Sequence, residues 1–258
     1  MRKSCRRVNN LNLLRLACLL VCAFAAAPVN AETSTPKIVC RASLSEERRT
    51  ELSAHLRSIT GWTGLHFDGE GVLHFGAEQP SGGSASARAL LAAAREGESL
   101  LIFEDASGNP DVAFSRVVEG RWKGGSEGRP PAYVVQIDFT DFGHVMGDGA
   151  ARAAFNSGWV ALHEIEHAVN DSADADGPGE PGECEEAINR MRRECGLAER
   201  AEYFYKPLPG QHRSDFKARF MRLAFEHSQG ASKPRRYWLM WDSDLVGGLP
   251  VANQLAGR

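Results

Sequence analysis

Trp159-Val160-Ala161-Leu162-His163-Glu164-Ile165-Glu166-His167-Ala168-Val169 is the stretch whose reading decides the fold. Its apolar residues suit a largely buried helix. On a helix, positions i and i+4 share a face, so the imidazoles of His163 and His167 point the same way. Two neutral imidazoles so placed make half of a tetrahedral zinc site. Glu164, next to His163, can reach a water on the metal. Burying two histidines and a glutamate without partners is costly, and a metal would supply the compensation.

A catalytic zinc needs a third protein ligand and one open position. Position 173 is Ala, which rules out a third histidine at the metzincin spacing, and no later Gly-Thr turn offers an aspartate. The search then falls on a helix expected at 183–194. It carries Glu183, Glu185 and Glu186. Glu186 is preferred, because Ala187-Ile188 would pack beneath the site. Glu185, with Asn189 at i+4 as an outer partner, and Glu183, one turn before Glu186, stay open. The loop between, 172–183, has EF-hand-like oxygen spacing. Ser172 is a poor first ligand and no amphipathic helix pair flanks the loop, so it reads as a solvated acidic loop.

Outside this core, the chain of 258 residues begins with a basic segment (Arg2, Lys3, Arg6, Arg7, Arg15) and an apolar run over 16–29. Val29-Asn30-Ala31 fits a small-x-small cleavage site, so 1–31 reads as a signal peptide and 32–258 as a single domain. No later run is long and apolar enough for a membrane span, so no membrane association is expected after leader cleavage. The formal charge of −3 is spread out and gives no electrostatic reason to expect nucleic acid. Export implies a secreted or periplasmic, oxidising location. Cys40, Cys184 and Cys195 remain past the leader. Cys184 and Cys195 would lie about 16 Å apart on one helix, too far to bridge, so the expected disulfide joins Cys40 to one of them.

The remaining segments give an α+β order. Ser43-Leu44-Ser45-Glu46 reads as a capping box for a helix to Thr60. Residues 65–75 read as a hairpin that could bring His66 beside His74. A short helix over 87–95 and strands near 100–103, 113–118 and 133–138 follow. The strand from Tyr133, if it lies at a sheet edge, could pair with an extended peptide. Residues 216–225 fit a strand or a helix, and 237–241 a strand, with a turn at 229–232. Tyr203, Tyr205, His212 and His227 are candidate oxyanion donors, with Tyr203 preferred.

His163-Glu164-Ile165-Glu166-His167-Ala168-Val169-Asn170-Asp171, with Glu186-Ala187-Ile188 beyond it, resembles the HExxH zincin metallopeptidases of the gluzincin type. Residues 189–197 with Arg200 and Tyr203 are similar to bacterial effector- and toxin-type zinc metalloproteases. The resemblance covers about 160–205. It implies a zincin-like α+β domain, a small mixed sheet packed on the HExxH helix and a following ligand helix. It also implies Zn2+ held by His163, His167 and Glu186, a protein or peptide substrate, and hydrolysis by a zinc-bound water with Glu164 as general base. Glu166 departs from the pattern, which prefers an uncharged residue there. The competing expectation is a secreted, non-enzymatic binding protein whose metal site is structural or vestigial, with His212 or Cys184 closing the coordination.

Overall fold

Short apolar strands, separated by capped helices, form the first half of the molecule. The computed structural model describes residues 37–76, 79–121, 127–208, 219–227 and 234–247. The chain divides into Met1–Thr35 and Pro36–Arg258; the expected signal peptide 1–31, His212 and the expected turn at 229–232 lie outside the described residues. In chain order the elements are β1 (Ile38–Cys40), α1 (Glu46–Thr60), β2 (His66–Phe67), β3 (Leu73–His74), α2 (Ala85–Glu96), β4 (Leu100–Asp105), β5 (Ser115–Glu119) and β6 (Ala132–Ile137). A 3-10 turn (Asp141–His144), β7 (Met146–Gly147) and α3 (Gly149–Ala153) lead to α4 (Ser157–Asn170). Then come α5 (Gly182–Glu194), β8 (Glu199–Arg200), β9 (Lys206–Pro207), β10 (Phe220–His227) and β11 (Arg235–Asp242).

The arrangement is mixed α plus β. One sheet has the order β1-β4-β6-β5, with β1, β4 and β6 parallel and β5 antiparallel at one edge. A second holds β7, β11, β10, β8 and β9, all antiparallel. The segment from Tyr133 is therefore not an edge strand. Ala132, Val134, Val135 and Ile137 are buried on both faces of β6, which suits a strand flanked by β4 and β5. The ambiguous 216–225 stretch becomes strand β10, registered on β11 by Leu223↔Leu239 and Met221↔Trp241.

Ser45 caps α1 by accepting the Arg48 N–H, and Gly61 closes it. Asn156 caps α4, its Oδ1 accepting from the N–H groups of Gly158 and Trp159. A Cβ on Gly158 would stand 2.7 Å from His55 Cβ, so only glycine lets α4 approach α1 this closely. Trp159, Ala161, Leu162 and Ile165 are all within 1 % of full burial, each larger side chain contributing about 1.5–3 kcal/mol of apolar burial. They fix α4 against α1, α2, α5 and the strands β5 and β6. Every polar group on α4 is thereby held in a set direction.

Cys40, Cys184 and Cys195 are free thiols, not the expected Cys40 bridge. Cys184 packs against His163, Cys195 faces the Ile59 carbonyl, and Cys40 pairs its backbone with Gly71, three separate places. No helix among the described residues is long and apolar enough to cross a membrane.

Candidate metal centre

His163 and His167 meet on one face of α4, as the spacing requires, with Nε2 atoms 3.1 Å apart. The carboxylate that closes on them comes from the loop, not from α5. Asp174 Oδ1 lies 3.2 Å from His163 Nε2 and 3.3 Å from His167 Nε2. Four side chains, His163, His167, Asp174 and Cys184, offer ligand atoms all within 4.8 Å of one another, a group that could hold a metal ion. For bonds of about 2.0–2.1 Å around a tetrahedral ion, neighbouring ligand atoms stand roughly 3.3 Å apart. The three distances match that edge. Asp174 Oδ1 is also a buried oxygen without a hydrogen-bond donor apart from the histidine nitrogens that face it.

Each ligand is oriented from behind. His167 Nδ1 donates to the Ser172 carbonyl at 2.7 Å, which puts the free lone pair on Nε2. His163 Nδ1 faces Glu185 Oε2 at 3.4 Å and Cys184 Sγ at 3.4 Å. The Tyr203 hydroxyl donates to Asp174 Oδ2 at 2.7 Å, and its ring stacks on His163. That hydroxyl, the preferred oxyanion donor from the sequence, is engaged with Asp174 in the structure.

Charges follow the geometry. Burial alone would pull His163 down, but Asp174, Cys184 and Glu185 outweigh it and hold the imidazole well above its ordinary range. Asp174 raises His167 to about 10, with Cys184 adding to it. Burial pushes the Asp174 carboxyl up, and the two imidazoles with Tyr203 more than reverse this, leaving it far below the carboxylate range. These are the signs of cations gathered on an anion at a point where a divalent ion would replace the protons.

The expected third ligand, Glu186, sits exposed on α5 outside this group. Of the α5 carboxylates, the apolar face of the helix turns Glu185 inward, to 1 % exposure. Glu185 is held there by Arg192 and by Arg200 Nη1 at 2.9 Å, while Arg192 also donates to the Ala154 carbonyl and lies over Trp159. Burial raises Glu185, and the two guanidiniums drive it far below its ordinary value, so it stays ionised behind His163. Glu183 is exposed and accepts the Ala173 N–H at 3.3 Å, helping to place the loop. The loop turns back sharply. Gly182, at φ 79°, would carry a Cβ 2.3 Å from Ala175 N, and the Asp174↔Gly182 bridge depends on that approach.

Sequence reasoning missed Asp174 because the 172–183 loop read as solvated acid. The available signal was an aspartate seven residues past His167, within one short turn of the helix end.

Glu164 is buried beside the group and accepts the Ser115 hydroxyl on Oε1 at 2.7 Å. Ser115 opens the edge strand β5. Phe114 before it adopts a left-handed φ of 65°, held by its N–H on Asp141 Oδ2 at 2.9 Å. Glu164, His163, Ser115 and Tyr203 border a cavity of about 330 Å³ walled also by Phe155, Trp159, Tyr205 and Leu223. Of the four-residue group, His163 lines it, and His167, Asp174 and Cys184 do not. Comparison with known proteins found no matching family model, no matching curated protein and no matching solved structure.

Proposed function

We propose that the chain is an exported zinc-dependent metallopeptidase of the HExxH zincin kind, with His163, His167 and Asp174 as ligands and Glu164 as general base. The observation that carries this reading is the convergence of three ligand atoms at 3.1–3.3 Å beside a cavity that Glu164 borders. Two imidazoles and a carboxylate are a donor set that suits zinc and leaves a fourth position open. Zinc held there would supply a Lewis acid that polarises a carbonyl and makes water more acidic.

The chain's own residues supply the rest. Ser115 engages Glu164 Oε1 and fixes the carboxylate, leaving Oε2 to take a proton from the attacking water and return it to the leaving amine. The edge strand β5 begins at Ser115 and has no strand on its outer side among the described residues. An extended peptide pairing there would pass Glu164. On this reading the peptide would pair with β5, not with the Tyr133 segment. The basic and apolar stretch over 1–31 supports export.

The test is zinc content and hydrolysis of an unbiased peptide library by wild type and Glu164→Gln. Glu164→Gln should keep zinc and lose turnover. Equal turnover by the two proteins would remove Glu164 from the mechanism.

One observation favours a second reading, a binding protein with a closed structural site: Cys184 belongs to the same four-residue group. A thiolate in the fourth position would leave no place for water. Cys184 Sγ lies 3.4 Å from His163 Nδ1, the ring nitrogen opposite the Nε2 that faces Asp174, which weighs for the peptidase. Cys184→Ser separates them, since a structural site loses its metal and the peptidase keeps both metal and activity.

A further inference from the structure

We propose that Glu166, the charged residue inside the HExxH stretch, is a positioning residue that sets two of the metal ligands through one loop residue. The inference rests on reading the His163, His167 and Asp174 group as a metal site. Glu166 neighbours His167 in sequence, and adjacent helix positions do not face each other, so its carboxylate does not join the ligand atoms. It is nevertheless 6 % exposed, and a carboxylate is costly to bury without donors. Its donors are specific. Glu166 Oε1 accepts from Asn170 Nδ2 at 2.9 Å and from Ser172 Oγ at 3.0 Å.

Ser172 is the pivot. Its carbonyl receives the Nδ1 proton of His167 at 2.7 Å, and two residues later the chain delivers Asp174. Between helix and pivot, Asp171 takes a left-handed φ of 53° that ends the helix and turns the chain toward Ser172, a conformation aspartate adopts more readily than most residues. Glu166 therefore anchors the near end of the ligand loop to α4. The far end is fastened to α5 by the Cys184 N–H on the Ala173 carbonyl at 3.0 Å and by the Asp174↔Gly182 bridge. With the near anchor cut, the Ser172 carbonyl can leave His167, which frees the ring tautomer, and Asp174 loses its register against both imidazoles. A neutral residue with no acceptor at this place would pack as well but would not hold the loop.

The experiment titrates the full chain with Zn2+ against a chelator, and with Co2+ read by its visible spectrum, for wild type, Glu166→Ala, Glu166→Gln and Ser172→Ala. Melting of each metal-free protein is recorded alongside. Glu166→Ala should raise the zinc Kd about 10- to 100-fold, the usual cost of removing an outer partner of a ligand, and change the Co2+ spectrum. Glu166→Gln keeps an acceptor at Oε1 and should recover most of the affinity. Ser172→Ala should show a smaller loss of the same kind. A folded Glu166→Ala that melts lower but binds zinc with the wild-type Kd and spectrum overturns the proposal. Should Glu166→Ala fail to fold, wild-type zinc affinity in Ser172→Ala overturns it instead. A wild type that binds neither ion overturns the metal reading itself, and the role of Glu166 with it.

Discussion

Among the described residues, two histidine pairs each have an aspartate beside them, and one of the two belongs to a group that could hold a metal ion. On the hairpin, His66 and His74 lie in register with stacked rings 5.4 Å apart, and Asp68 is beside them. At the end of α4, His163 and His167 meet edge to face at 4.8 Å beside Asp174. Residue types and separations are nearly the same. The hairpin groups are already used. His74 Nε2 is on Asp68 Oδ2, His66 Nδ1 is on the Gly64 carbonyl, and Asp68 Oδ1 takes the N–H groups of Glu70 and Val72. At the α4 end, the outer atoms are engaged from behind, and the inner ones point at one another. A ligand site is made by buried donors whose inward lone pairs have only each other, and an exposed turn that satisfies itself locally makes none.

The sharpest way to break the comparison is to remove one member from each pair. Asp174→Ala or His163→Ala should abolish stoichiometric zinc binding, whereas His74→Ala should leave the metal content at the wild-type value. Zinc quantitation on the purified proteins decides it, and equal loss from both pairs would end the distinction.

Next in size is the buried ion network behind His163. Glu185→Ala would strand Arg192, which is 2 % exposed, and Arg200 without their shared carboxylate. Breaking one partner of such a network costs about 3–5 kcal/mol, so chemical denaturation should show a loss of that order. The hairpin contact between His74 and Asp68 is open to solvent, and His74→Ala should change stability far less.

Asp141 offers a pH handle on the strand that bears Ser115. Burial, with Asp138 nearby, outweighs the Phe114 and Gly247 N–H groups and raises Asp141 from 3.8 to about 6. A raised carboxylate pKa means the native state holds the proton more tightly. Its stabilising effect is full below about pH 4 and is lost as pH rises through about 6, with a ceiling of about 3 kcal/mol. Stability measured from pH 4 to 7 should carry this downward term, and Asp141→Asn should flatten it. An unchanged slope would show that Asp141 does not titrate there.

The smallest effect is expected at Glu186. Exposed on α5 and outside the metal group, Glu186→Ala should keep zinc and change stability by less than about 0.5 kcal/mol. Loss of zinc from that variant would restore it as a ligand.

The sequence by itself determined what depends on local periodicity. The i, i+4 spacing placed His163 and His167 on one face of a buried helix. The helix to Thr60, the 65–75 hairpin, the strands near 100, 113 and 133, and the α5 helix all appear in the structure, because turn residues and alternation act within a few positions, while the cap of the first helix falls on Ser45 rather than on Ser43 of the expected capping box. Glu164 was legible as a neighbour of the histidines for the same reason. Tertiary structure alone decided which acid closes on the pair. Three glutamates on α5 compete by pattern, yet the helix's apolar face turns Glu185 inward onto Arg192 and Arg200 and leaves Glu186 in solvent. Asp174 enters because the left-handed turn at Asp171 and the Gly182 contact fold a short loop back on α4. The edge position of β5 likewise depends on β6 lying between it and β4. Such contacts join residues whose separation in sequence carries no period, and a sequence pattern has no means of recording them.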